Sequence, residues 1–312
     1  MNGKKSINYA WIVVGLAFII CAFGFSIFYS FSLFFVALLK DFGWSRSVIA
    51  GAFALFQMIF SVSSPLVGIL VDRFGVRTVF LLGSLILGAG LALSSFTSLW
   101  WHFYIFFGII TGLGMSLIGL VPNNTLVQQW FKGKRGLPMG IVSAGVGVGM
   151  LVCVPAIQHL ILRLGWRMTY LILAISIPGT IIFFQMFLVR KPPSLLQPAN
   201  PSEKEVVSPN LPDPLVVDAE WVARSWTVRK AISTKQFWLW SICLFFSTFT
   251  NQSIFAHHVA FFVDQGLQAL FAAYIVGLIG IVSIPGKILW GFFSDKIGVN
   301  ADLFFTDRRI AR

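Results

Sequence analysis

The sequence predicts an all-α integral membrane protein, and three observations carry that prediction: the composition, a series of long apolar runs, and the placement of charge between them. Of 312 residues, 57% are hydrophobic and only 11% charged, with 33 Phe. A soluble domain of this size carries about 25% charged residues to cover its surface. The missing charge therefore implies a surface that faces lipid, and the bilayer is the first expected partner. The net charge of +12 does not mark nucleic acid, because the cations are scattered between apolar runs and not gathered on one soluble face.

A bilayer core needs about 20 apolar residues per helical span. Eight segments meet this, at 9–30, 48–70, 78–96, 100–121, 137–160, 168–189, 237–258 and 268–292. They are continuously apolar, whereas β-barrel strands alternate with period two. The opening Met-Asn-Gly-Lys-Lys and its apolar run read as a retained first helix and not a cleaved signal, since the remainder is also membrane-like. Cys21, Cys153 and Cys243 lie inside apolar segments without metal-ligand spacing, so they read as small hydrophobes. No cofactor is expected.

Lys and Arg concentrate on the cytoplasmic side of membrane proteins. With the N-terminus inside, the inner loops hold Lys4, Lys5, Arg73, Arg77, Lys132, Lys134, Arg135 and the cations of 190–235, while the outer loops hold only Lys40, Arg46, Arg163 and Arg167. The expected location is a plasma membrane of bacterial inner-membrane type, with the N-terminus and central loop cytoplasmic. Trp44, Trp100, Trp101, Trp130, Trp166 and Trp238 fall at span ends, where indoles prefer to sit. Residues 190–235 hold seven of the 13 Pro and five of the 11 acidic residues, the composition of a solvated linker. The expected organisation is a six-helix bundle (1–190), a cytoplasmic linker (191–235) whose end at 226–235 forms a short interfacial helix, the first two helices of a second bundle (236–298), and an atypical tail (299–312).

One motif repeats. After the second span the chain reads Gly68, Asp72, Arg73, Gly75, Arg77; after the eighth it reads Gly291, Asp295, Lys296, Gly298, with the Gly and Asp spacing kept. On these residues the chain resembles the major facilitator superfamily. Two further stretches, Trp130 to Gly145 and Phe42-Gly43-Trp44-Ser45-Arg46, are similar to its monocarboxylate and oxalate/formate transporter group. The resemblance implies a helix bundle of twelve spans, of which eight are present here, working by alternating access on a small organic anion. Residues 299–312 do not read as a further span, so the chain is expected to be a truncated form. A non-transporting sensor or partner subunit on the same scaffold, or a carrier of another small solute, are the alternatives.

In physical terms, Asp72 beside Arg73 and Arg77 is suited to latch neighbouring helices through ion pairs and helix-terminus contacts. Gly68 is expected to permit close packing and Gly75 a tight turn. Small residues at Gly136, Gly140, Ala144, Gly145 and Gly149 share faces of the fifth span; whether they line the transport path or a packing seam is open.

Ionisable residues deep in a membrane helix are costly and mark function. Lys287, two turns before Asp295, is the residue of this kind, and the resemblance implies contact with a substrate carboxylate; snorkelling to the interface is the competing reading. Tyr29, Gln57, Asn251 and Gln252 are secondary cavity candidates, with bonding to a neighbouring helix as their ordinary role. Ser283 and the apolar residues around Leu33 stand where proton-coupled relatives carry an acid and a Lys, and no Asp or Glu lies deep in a span, which leaves exchange or uniport open. His257 and His258 read as an interfacial pair. The run Gly280 to Lys287 misses phosphate-loop spacing, and Gly145-Val-Gly147-Val-Gly149 lacks the strand of a dinucleotide loop, so no enzyme is expected.

Overall fold

A computed structural model describes residues 3–131, 135–186 and 228–297. Every long element is a helix. The first, α1, runs Gly3–Phe42, and Gly43 at φ +63° turns the chain into the next. Ser45 caps that helix, its hydroxyl accepting from the Val48 N–H. Arg46–Ser95 is then broken at Gly75 (φ 80°, ψ 157°) into α2 (46–74) and α3 (76–95). The stretch Trp100–Trp130, α4, contains a π-helical segment at Tyr104–Thr111 and an extended residue at Gly119. Gly136–Gln185 is broken in the same way at Gly165 (φ 80°, ψ 165°) into α5 (136–164) and α6 (166–185). A single turn, Val228–Ile232, precedes α7 (Lys235–Asp264), and Gly266 at φ 85° leads into α8 (Ala269–Ile297).

Among the described residues, five helices are long and apolar enough to cross a membrane: Tyr9–Phe42, Arg46–Ser95, Trp100–Trp130, Gly136–Gln185 and Ala269–Asp295. The two of 50 residues each correspond to two of the predicted spans, with the glycine break as the turn. The seventh predicted span, α7, does not reach that hydropathy, because Ser247, Thr248, Thr250, Asn251, Gln252 and Ser253 interrupt its middle. Predicted boundaries also ran short: α1 continues twelve residues past 30, and α7 continues to Asp264, so His257 and His258 lie within a helix and not at its end. Of the predicted interfacial helix only the turn Val228–Ile232 and the start of α7 are described; Gly298, the tail and the linker before 228 lie outside the described residues.

A Cβ at Gly75 or Gly165 would meet nothing within 4 Å, so their backbone angles alone set the cost of substitution. That region is essentially glycine-only, and Gly75→Ala or Gly165→Ala is expected to destabilise by about 1–3 kcal/mol, read as a lowered midpoint of thermal unfolding in detergent.

Contacts between helices sort the helix ends into two faces. Tyr9 meets Trp130, Arg77 donates to Gln185 O at 3.5 Å, and Gly136 meets Asp295, so these ends form what we call the motif face. At the opposite end Asp41 accepts from Arg167 (2.9 Å) and from Trp166 Nε1 (3.0 Å), Arg167 also donates to Thr97 O, and Arg46 pairs with Asp264; this is the far face. Between the faces, rings from α1, α2, α4 and α6 stack: Phe31 on Phe53 at 4.3 Å, Phe31 on Phe107 at 5.3 Å, Phe34 on Tyr170 at 4.0 Å. In lipid such packing, more than water exclusion, holds helices together.

Candidate functional site

The interface between helices α1–α6 and the pair α7–α8 carries the candidate site. Its closest contact is between α5 and α8. A Cβ at Gly136 would lie 2.5 Å from Gly291 O, at Gly140 2.6 Å from Lys287 O, and at Gly147 2.9 Å from Gly280 O. Gly145 and Gly149 lie instead against the Phe18 and Ala22 carbonyls of α1. The small-residue faces of α5 thus pack toward two different helices, and Gly136 and Gly140 also border the opening that Lys287 lines.

That seam sets the position of Lys287. Its backbone is pressed against Gly140, and its half-buried ammonium donates to Ser143 O at 3.2 Å. An ammonium has three donors, and Lys287 borders an opening of about 550 Å³ with Met139, Ser143, Gly286 and Trp290. The cation is directed across the interface to α5.

A larger cavity, about 730 Å³, lies between α2 and α7 and is lined by Phe53, Gln57, Thr248, Phe249, Gln252 and His257 among others. Gln57 Oε1 is buried there without a hydrogen-bond partner. Gln57 and Lys287 therefore border different openings. Tyr29 is half-buried; its ring meets Phe255 of α7 edge-on at 5.0 Å, and it lines neither space. Asn251 donates to Ser247 O of its own helix at 2.8 Å and points away from the cavity that its neighbour Gln252 lines. Sequence reading set aside His257, which lines this cavity and meets Phe35 of α1 edge-on at 5.6 Å; the spacing Phe249, Ser253, His257 was the helical-face signal for it. His258, one residue on, donates from Nδ1 to Phe255 O at 2.9 Å.

The two motif copies behave differently. Asp295 accepts from the backbone N–H of Gly136 at 2.8 Å and of Leu137 at 2.7 Å, capping the start of α5. Asp72 is exposed and has no hydrogen bond or ion pair among the described residues; Arg73 lies over the Phe74 ring at 5.3 Å. The expected helix-terminus contact is made by the second Asp because an open helix start lies beside it. A Cβ at Gly68 would meet nothing within 4 Å, so the close packing expected there is not found among the described residues.

At the far face Arg46 and Asp264 form a bidentate pair, 2.8 and 2.9 Å, across the same interface. The Arg46 hydrogen bonds hold the Asp264 carboxyl below the usual carboxylate range. A depressed value means that the contribution of the pair is present above the ordinary carboxylate range and is lost only as pH falls through the lowered one.

Residues 14–306 match the Major Facilitator Superfamily. The chain belongs to that family. It is 34% identical over 170 residues to monocarboxylate transporter 3 of Rattus norvegicus, covering 54% of this chain and 34% of the relative. Monocarboxylate transporter 7 of Homo sapiens is 30% identical over 194 residues, 62% of this chain and 36% of the relative. Monocarboxylate transporter 12 of Rattus norvegicus is 22% identical over 309 residues, 93% of this chain and 61% of the relative. The chain thus matches between about a third and three fifths of the length of these relatives. It is a membrane protein of a family of small-solute transporters.

Proposed function

We propose that the chain moves a small organic anion of the monocarboxylate class by alternating access, with Lys287 as the anion contact and the motif face in the cytoplasm. The observation that carries this reading is the Lys287 ammonium, half-buried inside an apolar helix and turned to the interface between the two helix groups. A buried cation is retained where it has a task, and in low dielectric it attracts a carboxylate far more strongly than in water. The printed names of the relatives support the substrate class, and the paucity of Lys and Arg on the far face supports the orientation. The test is uptake of labelled short monocarboxylates into proteoliposomes. A charge-assisted hydrogen bond is worth about 1.5–3 kcal/mol, so Lys287→Ala is expected to lower uptake about 10- to 100-fold, with Lys287→Arg retaining part of it. Uptake unaffected by Lys287→Ala would remove the anion contact from this reading.

A further inference from the structure

A third cavity, about 550 Å³, lies at the far-face end of the interface, between α1, α5, α7 and the start of α8. Helical spacing builds its walls. Leu33, Ala37 and Lys40 fall on one face of α1, and Gln158, Ile161 and Gly165 on one face of α5, each set rising about 10 Å from floor to mouth. Val259 and Val263 of α7 supply the wall from the other helix group. The floor is closed, with Leu33 2% and Val259 1% exposed. Two polar groups in this apolar space are unengaged. Gln158 is only 4% exposed, lines the cavity, and has no hydrogen-bond partner among the described residues. A buried amide left without partners is costly, so it favours a guest that brings a hydrogen-bonding group. At the mouth, the exposed Lys40 likewise has no hydrogen bond or ion pair among the described residues. Its neighbour Asp41 does not neutralise it, because that carboxylate is already held by Trp166 Nε1 at 3.0 Å and by Arg167 at 2.9 Å. A cation at the rim, apolar walls and an amide at the bottom together define the guest: a carboxylate, an apolar body, and a hydroxyl or carbonyl at the opposite end. The place is separate from Lys287, since Gln158 lies about 20 Å along α5 from Ser143, whose carbonyl Lys287 holds.

We propose that this cavity is a second anion site, a far-face seat for an organic carboxylate with an aryl body and a distal hydroxyl, held by Lys40 at the rim and Gln158 at the floor. Its walls come from both helix groups, so an occupant bridges them and stabilises the far face in the arrangement seen here. The proposal depends neither on Lys287 nor on transport. The probe is radiolabelled 4-hydroxyphenylacetate, bound to the full chain in phosphatidylcholine nanodiscs, with phenylacetate and 4-methylphenol as competitors that lack the hydroxyl and the carboxylate. Saturable binding is expected, with both competitors weaker than the unlabelled probe. Lys40→Gln should weaken binding about tenfold. Gln158→Leu should weaken it about three- to tenfold and remove the preference over phenylacetate. Neither change threatens the fold, as Lys40 is exposed and leucine suits an apolar wall. Lys287→Ala should leave the affinity within about twofold. Saturating probe should also raise the midpoint of thermal unfolding, and do so less in the Lys40→Gln, Gln158→Leu double variant. Absence of saturable binding, or binding that is lost with Lys287→Ala and ignores both cavity variants, would overturn the seat. Displacement of the probe by a few mole per cent of phosphatidylglycerol, on the order of one lipid per protein, would assign the rim cation to a lipid headgroup and overturn it as a seat for a free solute. Probe binding without carboxylate uptake would keep this site and remove the transport reading; uptake sensitive to Lys287→Ala without probe binding would do the reverse.

Discussion

Gly140→Leu is expected to separate α8 from α5 and to be among the most destabilising single changes in the described chain. The neighbours that a Cβ would meet are backbone: Lys287 O at 2.6 Å, Gly291 Cα at 3.3 Å and Ile288 Cα at 3.5 Å. A side-chain tip can turn aside; a helix backbone can only translate. Inserting atoms into a packed contact costs about 1–3 kcal/mol even when some relaxation is available, and leucine adds four carbons where the first already collides. Gly291→Val should act alike, since a Cβ there overlaps the Gly136 carbonyl. The matched control is Gly68→Ala, in the same repeated motif as Gly291, where a Cβ meets nothing within 4 Å; a change of less than about 0.5 kcal/mol is expected there. Thermal unfolding in detergent gives the stabilities. Disulfide yield between cysteines at Met139 and Trp290, which border the same opening, gives the seam itself. If Gly140→Leu unfolds at the same temperature as Gly68→Ala and cross-links as well, the seam is not a packed contact. Because Gly140 presses on the Lys287 carbonyl, the same substitution should also displace the ammonium and lower uptake.

The membrane class, the family and the small-residue faces of α5 were legible in the sequence because each is a one-dimensional signal: a run of apolar residues, a repeated spacing, a period of four. What each face meets was not legible. In a bilayer an apolar side chain is accommodated against lipid or against another helix at similar cost, so composition does not say which. Trp290 is 80% exposed while Trp166 is 6% exposed, although both lie near ends of apolar segments. For the same reason Gly136 and Gly140 could be read as a stripe but not assigned to α8, nor Gly145 and Gly149 to α1. The candidate site suffered more. Lys287, Tyr29, Gln57 and Asn251 each stand out as polar residues in apolar helices, yet rotation about the helix axis sends Asn251 to its own backbone and its neighbour Gln252 to the cavity. The Arg46–Asp264 pair spans 218 positions, and although Arg46 ends the Phe42 to Arg46 stretch, nothing in that stretch names Asp264 as its partner.

Asp295→Ala is the second change expected to have a large effect, and it acts on the same seam by a different force. The first N–H groups of a helix have no partner within it and carry the positive end of its dipole. In α5 two of these, on Gly136 and Leu137, donate to the two oxygens of Asp295 at 2.8 and 2.7 Å. Hydrogen bonds to a charged group are worth about 1.5–3 kcal/mol each, and since Asp295 is only half-buried the lower end of their sum applies. A loss of about 3–4 kcal/mol is expected, which corresponds to a roughly 150- to 1,000-fold shift toward the state in which the start of α5 and the end of α8 are apart. Asp295→Asn leaves one oxygen and turns an amide donor toward a donor, so it should approach the Ala effect and not the wild-type value. Asp72→Ala changes the equivalent residue of the other copy, which is exposed and holds no helix start among the described residues; its expected effect is within about 0.5 kcal/mol. Hydrogen exchange at the Gly136 and Leu137 amides reads the contact directly, and faster exchange in Asp295→Ala but not in Asp72→Ala is the expected pattern. Equal exchange in both variants would mean that the carboxylate contributes nothing to docking. The repeated Gly and Asp spacing thus stands in two different settings: a carboxylate engaged on a helix terminus at Asp295 and the same group exposed at Asp72. An exposed carboxylate at the end of α2 costs little to keep because water solvates it, whereas the engaged one at Asp295 is held by the two amides it neutralises.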